Sequence, residues 1–189
     1  MRKNNGAVFL DRDGTINEEV GYLDSLEKLR IFPAAFDAVR MINEAGMKVV
    51  VVTNQSGVAR GFFDETFLKT VHEHMRKTFQ GRGAFIDRFY YCPHHPTEGI
   101  GRYRVSCGCR KPEPGMLLQA SEELDIDLSA SYVVGDTARD MESAIRVGAT
   151  GILVKTGYGR NVAPSEIRVA YRAEDILDAA QWILGDQRR

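Results

Sequence analysis

The sequence predicts an α/β fold, a doubly wound parallel sheet with helices on both faces. Its short apolar runs are continuous rather than alternating, which is typical of strands buried on both faces. Helical patterns separate these runs, and a regular alternation of strand and helix is typical of parallel sheets. Strands are therefore expected at residues 7–10, 49–52, 89–91, 132–134 and 151–154.

Helices are predicted where apolar residues recur at helical spacing between these runs. Phe36, Val39 and Ile42 fit one helix face, and a second helix after Asp64, its expected N-cap, has a longer face: Phe67, Leu68, Val71, Met75 and Phe79. His72 and His74 of the second helix are predicted to face solvent. Further helices are expected at residues 115–124, 139–147 and 174–184.

Length and charge narrow the classes of function. With 189 residues, 43% of them apolar, a single domain over residues 1–189 is expected. The 25 basic and 26 acidic residues are mixed along the chain, and a net charge of −1 argues against nucleic acid or a membrane surface as partner. The first apolar run, residues 7–10, is too short for a signal peptide or a membrane span, so a soluble cytoplasmic protein is expected. A monomer is expected as well.

A segment at about residues 92–109 breaks this rhythm, since it is rich in Gly, Pro, Arg and His. It contains all three cysteines of the chain, in a Cys-x-His and Cys-x-Cys arrangement: Cys92, His94, Cys107 and Cys109. Three thiolates and one imidazole suit a closed structural Zn²⁺ site, which would order a loop that lacks apolar residues. The alternatives are a redox cysteine pair or ordinary reduced thiols, and His95 competes as the imidazole.

Polar motifs follow three of the strands, at the edge of a parallel sheet where ligands bind, and a fourth motif, with Arg110 and Lys111, comes just before a predicted helix. Asp11 and Asp13 follow the first strand, and Gly14 allows the sharp turn. Of two such carboxylates, one can attack phosphorus and the other can move protons. An ordinary surface turn is the alternative.

The other three motifs suit phosphate and a hard cation. Hydroxyl and amide groups follow the second strand at Thr53, Asn54, Gln55 and Ser56. Arg110 and Lys111 provide two cations, of which the lysine can neutralise a transferring phosphoryl group. Asp136 and Asp140 follow the fourth strand and offer oxygen ligands for Mg²⁺, although Asp136 could also cap the next helix.

The ordered set Asp-x-Asp-Gly-Thr, Thr-Asn, Lys and Gly-Asp-x-x-x-Asp resembles the haloacid dehalogenase-like phosphatases, over nearly the whole chain. The resemblance implies a Rossmann-like core with the zinc-stapled loop in place of a large cap domain. By that resemblance Asp11 is the nucleophile, Asp13 the general acid and base, and Thr53 and Lys111 stabilise the phosphoryl group. Magnesium would be held by Asp11, the backbone carbonyl of Asp13 and Asp136, with Asp140 a less direct participant.

Three longer motifs narrow the resemblance to the histidinol-phosphate and heptose-bisphosphate phosphatase branch, and within it to the heptose 7-phosphatases. They are Thr-Asn-Gln-Ser-Gly, Cys-Pro-His-His-Pro and Cys-x-Cys-Arg-Lys-Pro. The match favours His94 as the zinc ligand and places Arg110, with Asn54, Gln55 and Ser56, on a phosphorylated sugar. The resemblance implies removal of the C7 phosphate of the sugar, which would leave heptose 1-phosphate for the synthesis of lipopolysaccharide or related glycans. Thr137 departs from a Lys of some members, which leaves the anomer open.

Two alternative functions remain at this point. Histidinol-phosphate phosphatases share these motifs, although an amine substrate would favour an acidic pocket over Arg110. The other is a zinc-loop binding module on a silent scaffold, which would have no need of Asp11, Asp13, Lys111 and Asp136 together.

Overall fold

The computed structural model describes residues 5–187, and its centre is a six-stranded sheet in which every pair of neighbouring strands is parallel. The strand order is β3-β2-β1-β4-β5-β6. The strands are β1 Ala7–Leu10, β2 Lys48–Asn54, β3 Arg88–Cys92, β4 Tyr132–Gly135, β5 Thr150–Val154 and β6 Tyr171–Ala173.

Within residues 5–187, six α-helices connect or follow these strands. They are α1 Pro33–Glu44, α2 Ser56–Ala59, α3 Glu65–Gln80, α4 Gly115–Leu124, α5 Ala138–Val147 and α6 Ile176–Asp186. Short 3₁₀ turns lie at Leu26–Lys28, Gly101–Tyr103, Leu128–Ala130 and Gly159–Asn161.

Successive residues of the central strands enter two different cores. Val8 and Leu10 pack with α1, α3 and α6 on one face, whereas Ala7 and Phe9 pack with α4 on the other. Because both faces are covered, the strands are continuous apolar runs, and the predicted doubly wound α/β fold is confirmed.

The order of the strands reverses at β1. The chain moves outward from β1 through β2 to β3 and then crosses back to place β4 on the other side of β1. In a sheet of this kind the crevice beyond the carboxyl ends of the strands at the reversal is where ligands bind. The loops after β1 and β4 therefore flank the crevice.

Several local predictions are confirmed and others are wrong. Asp64 caps α3 by accepting a hydrogen bond from the Phe67 N–H, as predicted. The strand β6 was not predicted, because Tyr-Arg-Ala is not an apolar run. The cap of α5 is Thr137 rather than Asp136, in a reciprocal capping box with Asp140.

His72 does not face solvent as predicted. It is 6% exposed and packs against β3, whereas His74 is exposed. Its position four residues after Leu68 and three before Met75 places it on the apolar stripe of α3. That spacing was the available signal.

Candidate active site and metal sites

The carboxylates that follow β1 and β4 meet in one buried group. One oxygen from each of Asp11, Asp136 and Asp140 lies within 4.8 Å of the others. The Oδ1 atom of Asp136 is buried and has no hydrogen-bond partner among the described residues, while its Oδ2 accepts from the Tyr158 N–H at 2.8 Å. Oxygen donors of this kind fit Mg²⁺, and the unpartnered oxygen is where such a cation would be satisfied.

Lys111 brings one positive charge into this group. Its Nζ lies 2.7 Å from Asp11 Oδ1 and 2.6 Å from Asp140 Oδ1, and it donates to the Val52 carbonyl at 2.8 Å. Although burial lowers the pKa of Lys111, the charges of Asp11 and Asp140 raise it above its ordinary value, so the ammonium stays charged.

Burial raises the pKa of two of the carboxyl groups when no cation is bound. The pKa of Asp11 lies well above its ordinary value because of burial, which the charge of Lys111 only partly offsets. Burial also raises the pKa of Asp136 to about 7, against a hydrogen bond from Tyr158 that lowers it. A divalent cation would favour the ionised forms of both groups.

Asp13 is held by a separate set of donors. Arg12 donates to both of its oxygens, at 3.1 and 2.8 Å, Asn17 donates to Oδ1 at 3.0 Å and Gln55 donates to Oδ2 at 2.8 Å. Burial would raise the pKa of Asp13, but the charge of Arg12 and these hydrogen bonds lower it below its ordinary value. Asp13 is therefore an ionised carboxylate beside Asp11.

The polar residues at the carboxyl end of β2 connect this site to the segment that carries Lys111. The Asn54 side chain exchanges two hydrogen bonds with the Lys111 backbone, at 3.1 and 3.0 Å. Gln55 donates to Thr53 Oγ1 at 2.8 Å as well as to Asp13. The side chains of Asn54 and Gln55 thus hold neighbouring protein groups in place, which sequence reasoning did not predict.

These groups surround a cavity of about 300 Å³ beyond the carboxyl ends of the central strands. Arg110 and Arg139 are among its lining residues, and Arg110 also donates to the His94 carbonyl at 3.1 Å. The predicted residues that line it are Asp11, Asp13, Thr53, Asn54, Gln55, Ser56, Arg110, Lys111 and Asp136.

The turn after β5 closes one side of the site. A Cβ atom on Gly157 would lie 2.1 Å from Asp136 Oδ2, and the next N–H, of Tyr158, donates to that oxygen. Thr156 donates to the Gly14 carbonyl at 2.6 Å. No role was predicted for residues 157–160, and in the structure Gly157 and Tyr158 pack against the Asp136 carboxylate of the site.

The four predicted zinc ligands also meet. The Sγ atoms of Cys92, Cys107 and Cys109 lie 3.1–3.5 Å apart, and Nδ1 of His94 lies 3.5 Å from Cys109 and 3.8 Å from Cys92. These distances approach the edge of ~3.8 Å that a tetrahedron with Zn–S bonds of ~2.3 Å implies, and all exceed the ~2.05 Å of a disulfide bond. His95 lies outside this group and accepts from the Glu98 N–H at 3.0 Å.

Sequence reasoning missed four residues that contact the site or support it: Arg12, Asn17, His72 and Tyr158. Arg12 stands between the two predicted aspartates, and its charge next to them was a usable signal.

Within the described residues, no helix is long and apolar enough to cross a membrane.

Comparisons with known proteins agree with this geometry. A family model described as HAD-hydrolase-like matches residues 108–179. The D-glycero-beta-D-manno-heptose-1,7-bisphosphate 7-phosphatase of Escherichia coli strain K12 is 43% identical over 185 residues, which cover 97% of this chain and 91% of the relative. The protein of the same name from Salmonella typhi is 46% identical and covers 97% and 92%.

A solved structure is similar as well. It is the D,D-heptose 1,7-bisphosphate phosphatase of B. bronchiseptica, complexed with magnesium and phosphate. It is 33% identical, with a TM-score of 0.83 over 96% of this chain and 99% of that chain.

The sheet with its reversal at β1, and the aspartates and lysine beyond it, define a hydrolase of the haloacid dehalogenase-like class. Within that class the relatives are 43% and 46% identical over nearly the whole chain. The chain belongs to the family of D-glycero-beta-D-manno-heptose-1,7-bisphosphate 7-phosphatases.

Proposed function

We propose that this chain hydrolyses the C7 phosphate of D-glycero-D-manno-heptose 1,7-bisphosphate, with the β anomer preferred, and releases heptose 1-phosphate. One observation carries the proposal: the chain is 43–46% identical to phosphatases of that name over 97% of its length. The cavity with two arginines in its wall supports a substrate with a second phosphate.

Asp11 is the nucleophile in this proposal. Its carboxylate attacks phosphorus, the bond from phosphorus to the C7 oxygen breaks, and an aspartyl phosphate forms. Asp13 is ionised before the substrate binds, so it takes up a proton as the phosphate enters and then gives that proton to the departing sugar oxygen. Asp13, again a carboxylate, then takes a proton from water as that water attacks the aspartyl phosphate, which frees Asp11 and phosphate.

The remaining residues bind and neutralise charge. Lys111 and Thr53 hold the transferring phosphoryl oxygens, and Arg110, with Asn54, Gln55 and Ser56, faces the rest of the sugar. Asp11, the Asp13 carbonyl and Asp136 would hold Mg²⁺, with Asp140 beside Lys111 as a more distant participant. When bound, Mg²⁺ supplies positive charge to the phosphate oxygens.

The cysteine and histidine cluster is proposed to hold structural Zn²⁺. The ligands would be Cys92, His94, Cys107 and Cys109, and the metal would order the insertion at about residues 92–109 within one domain of residues 1–189. The hydrogen bond from the Arg110 side chain to the His94 backbone carbonyl supports a link between this loop and the substrate cavity. A monomeric state and a cytoplasmic location remain predictions.

The test is phosphate release with Mg²⁺ from the two heptose 1,7-bisphosphate anomers, fructose 1,6-bisphosphate and histidinol phosphate, compared as kcat/KM. The proposal predicts the highest kcat/KM for a heptose bisphosphate, in its β form. A higher kcat/KM for histidinol phosphate would contradict it and assign the other activity of this branch. A zinc-loaded protein with no turnover of any substrate would favour a binding module.

A further inference from the structure

Arg12 is a charged residue buried beneath the active site, with 1% of its surface exposed. Its guanidinium donates from Nε and Nη2 to the two oxygens of Asp13, and from Nη2 to the side-chain oxygen Oε1 of Gln55 at 3.1 Å. This two-pronged contact fixes the plane of a carboxylate as well as its position. Arg12 is among the residues that line the cavity, and its Nη1 atom faces His72 of α3.

His72 contacts Arg12 at the guanidinium nitrogen that does not bind Asp13. Its Nε2 lies 3.4 Å from Arg12 Nη1, and its ring stacks on Phe89 with centroids 4.7 Å apart and planes inclined by 18°. Burial, followed by the charge of Arg12, lowers the pKa of His72 to about 3. The imidazole is therefore neutral, and a lone pair on Nε2 can accept from the guanidinium.

The result is a continuous contact from helix α3 to the carboxylate next to the nucleophile. Phe89 fixes the ring of His72, His72 and Gln55 fix the guanidinium of Arg12, and Arg12 fixes Asp13. Each side chain between Phe89 and Asp13 is buried. Such packing leaves the Asp13 carboxylate little freedom to rotate.

We propose that Arg12, supported by His72, is a positioning residue that orients Asp13 for proton transfer to the departing sugar oxygen. The inference rests on the proposed function, in which Asp13 is the general acid. General acid catalysis contributes roughly 10²–10⁴-fold, and displacing a catalytic group by about 1 Å can cost ~10²-fold. A loosened Arg12 should thus slow the release of poor leaving groups in particular.

The leaving group separates this role from a structural one. An alkoxide such as the C7 oxygen of a sugar needs a proton as it leaves, whereas p-nitrophenolate does not. The parameter kcat/KM covers the steps up to release of the alcohol, so it excludes the later hydrolysis of the aspartyl phosphate. The ratio of kcat/KM for heptose bisphosphate to that for p-nitrophenyl phosphate therefore reports on the proton donor.

The variants follow from the contacts. His72→Phe keeps a ring against Phe89 but removes the acceptor for Arg12, and His72→Gln restores an acceptor. Arg12→Met removes the fork on Asp13. His74→Phe, at an exposed position of the same helix, is the matched control.

We expect His72→Phe to lower kcat/KM for heptose bisphosphate about 10-fold and to change that for p-nitrophenyl phosphate less than about 2-fold. Arg12→Met should lower the ratio of kcat/KM for heptose bisphosphate to that for p-nitrophenyl phosphate by about 100-fold. In His72→Gln the same ratio should lie within about 3-fold of the wild-type ratio. His74→Phe should leave both values unchanged. Thermal unfolding checks that each variant folds. If Arg12→Met does not fold, His72→Phe and His72→Gln alone test the inference.

Equal losses on both substrates in His72→Phe, or no loss on either, would overturn the inference. The proposed function fails separately, if the wild type does not hydrolyse heptose bisphosphate. In that case the same ratio is measured with whichever sugar phosphate the wild type does hydrolyse.

Discussion

At the scale of single residues, the site depends on charges that are buried next to one another. Lys111 is 4% exposed and lies between Asp11 and Asp140, while Arg12 is 1% exposed and pairs with Asp13. Removing one member of a buried pair leaves a charge without compensation, which costs more than the pair itself contributes. Substitutions at these positions therefore test both stability and activity.

Lys111→Met is expected to lower kcat by about 10²–10³-fold, because the transferring phosphoryl group loses a buried cation. Without Mg²⁺ it should also destabilise the fold by about 3–5 kcal/mol at pH 8, since Asp11 and Asp140 lose their shared partner. The measurements are steady-state kinetics and urea unfolding. Lys155→Met removes an exposed partner of Glu174 and is the control, which should change neither kcat nor stability. Near-normal turnover in Lys111→Met would refute the role assigned to Lys111.

His72 gives the protein a pH-dependent share of its stability. Burial, with Arg12, lowers its pKa to about 3 from 6.5, so the unfolded chain takes up a proton before the folded chain does. The contribution of His72 to the free energy of unfolding is fully present above pH 6.5 and is lost as the pH falls towards 3. Between pH 7.5 and 5 the loss is about 2 kcal/mol.

His72→Gln does not titrate, so its stability should fall by about 2 kcal/mol less than that of the wild type over this interval. Urea unfolding at the two pH values measures the difference, with His74→Gln as the exposed control. Parallel pH profiles for the wild type and His72→Gln would show that the buried ring does not stay neutral.

At the scale of elements, two loops complete what the sheet begins. The turn after β5 places Gly157 and the Tyr158 N–H against Asp136. The insertion at residues 92–109 places its cysteines and His94 together and leads directly into Arg110 and Lys111. Neither loop has an apolar core of its own, so each is held by polar contacts or by a metal.

Gly157→Ala is expected to weaken Mg²⁺ binding by about 10-fold or more, because the added methyl group would displace the Asp136 carboxylate. The measurement is the Mg²⁺ concentration that gives half-maximal activity. Gly46→Ala is the matched control, since Gly46 also has a positive φ, 77° against 56°, but nothing lies within 4 Å of its Cβ position. Both variants carry a backbone cost of about 1 kcal/mol, and an equal Mg²⁺ requirement in the two would contradict the prediction.

Cys109→Ser is expected to lose the metal from the loop. The wild type should contain about one zinc ion per chain, and the variant should contain less and be cleaved by trypsin at the exposed residues Arg102 or Arg104. Metal analysis and peptide mapping measure this. Ser106→Ala, a neighbour that holds no metal, should behave as the wild type; a Cys109→Ser protein with full zinc and intact loop would exclude the proposed ligand set.

At the scale of the whole molecule, the reversal of strand order at β1 determines where the chemistry can occur. It brings the loops after β1 and β4 together, so that Asp11 and Asp136 meet although 125 positions separate them. The strand-end rule was enough to predict this from the sequence, since each motif follows an apolar run. Helix boundaries at residues 115–124 were predicted equally well.

Other features could not be predicted from one sequence. The strand β6 is a short edge strand with mixed side chains, so no apolar run indicates it. The contact between Arg12 and His72 joins residues 60 positions apart and depends on how α3 packs against β3. Gly157 is informative only when Asp136 is seen beside it.

The most direct test of the central claim is phosphorus NMR of heptose 1,7-bisphosphate incubated with the wild type and Mg²⁺, with Asp11→Asn as the paired variant. The wild type should convert the C7 phosphate signal into inorganic phosphate and leave the C1 phosphate signal in place, whereas Asp11→Asn should leave both signals unchanged. Loss of the C1 phosphate, or turnover by Asp11→Asn at the wild-type rate, would contradict the account.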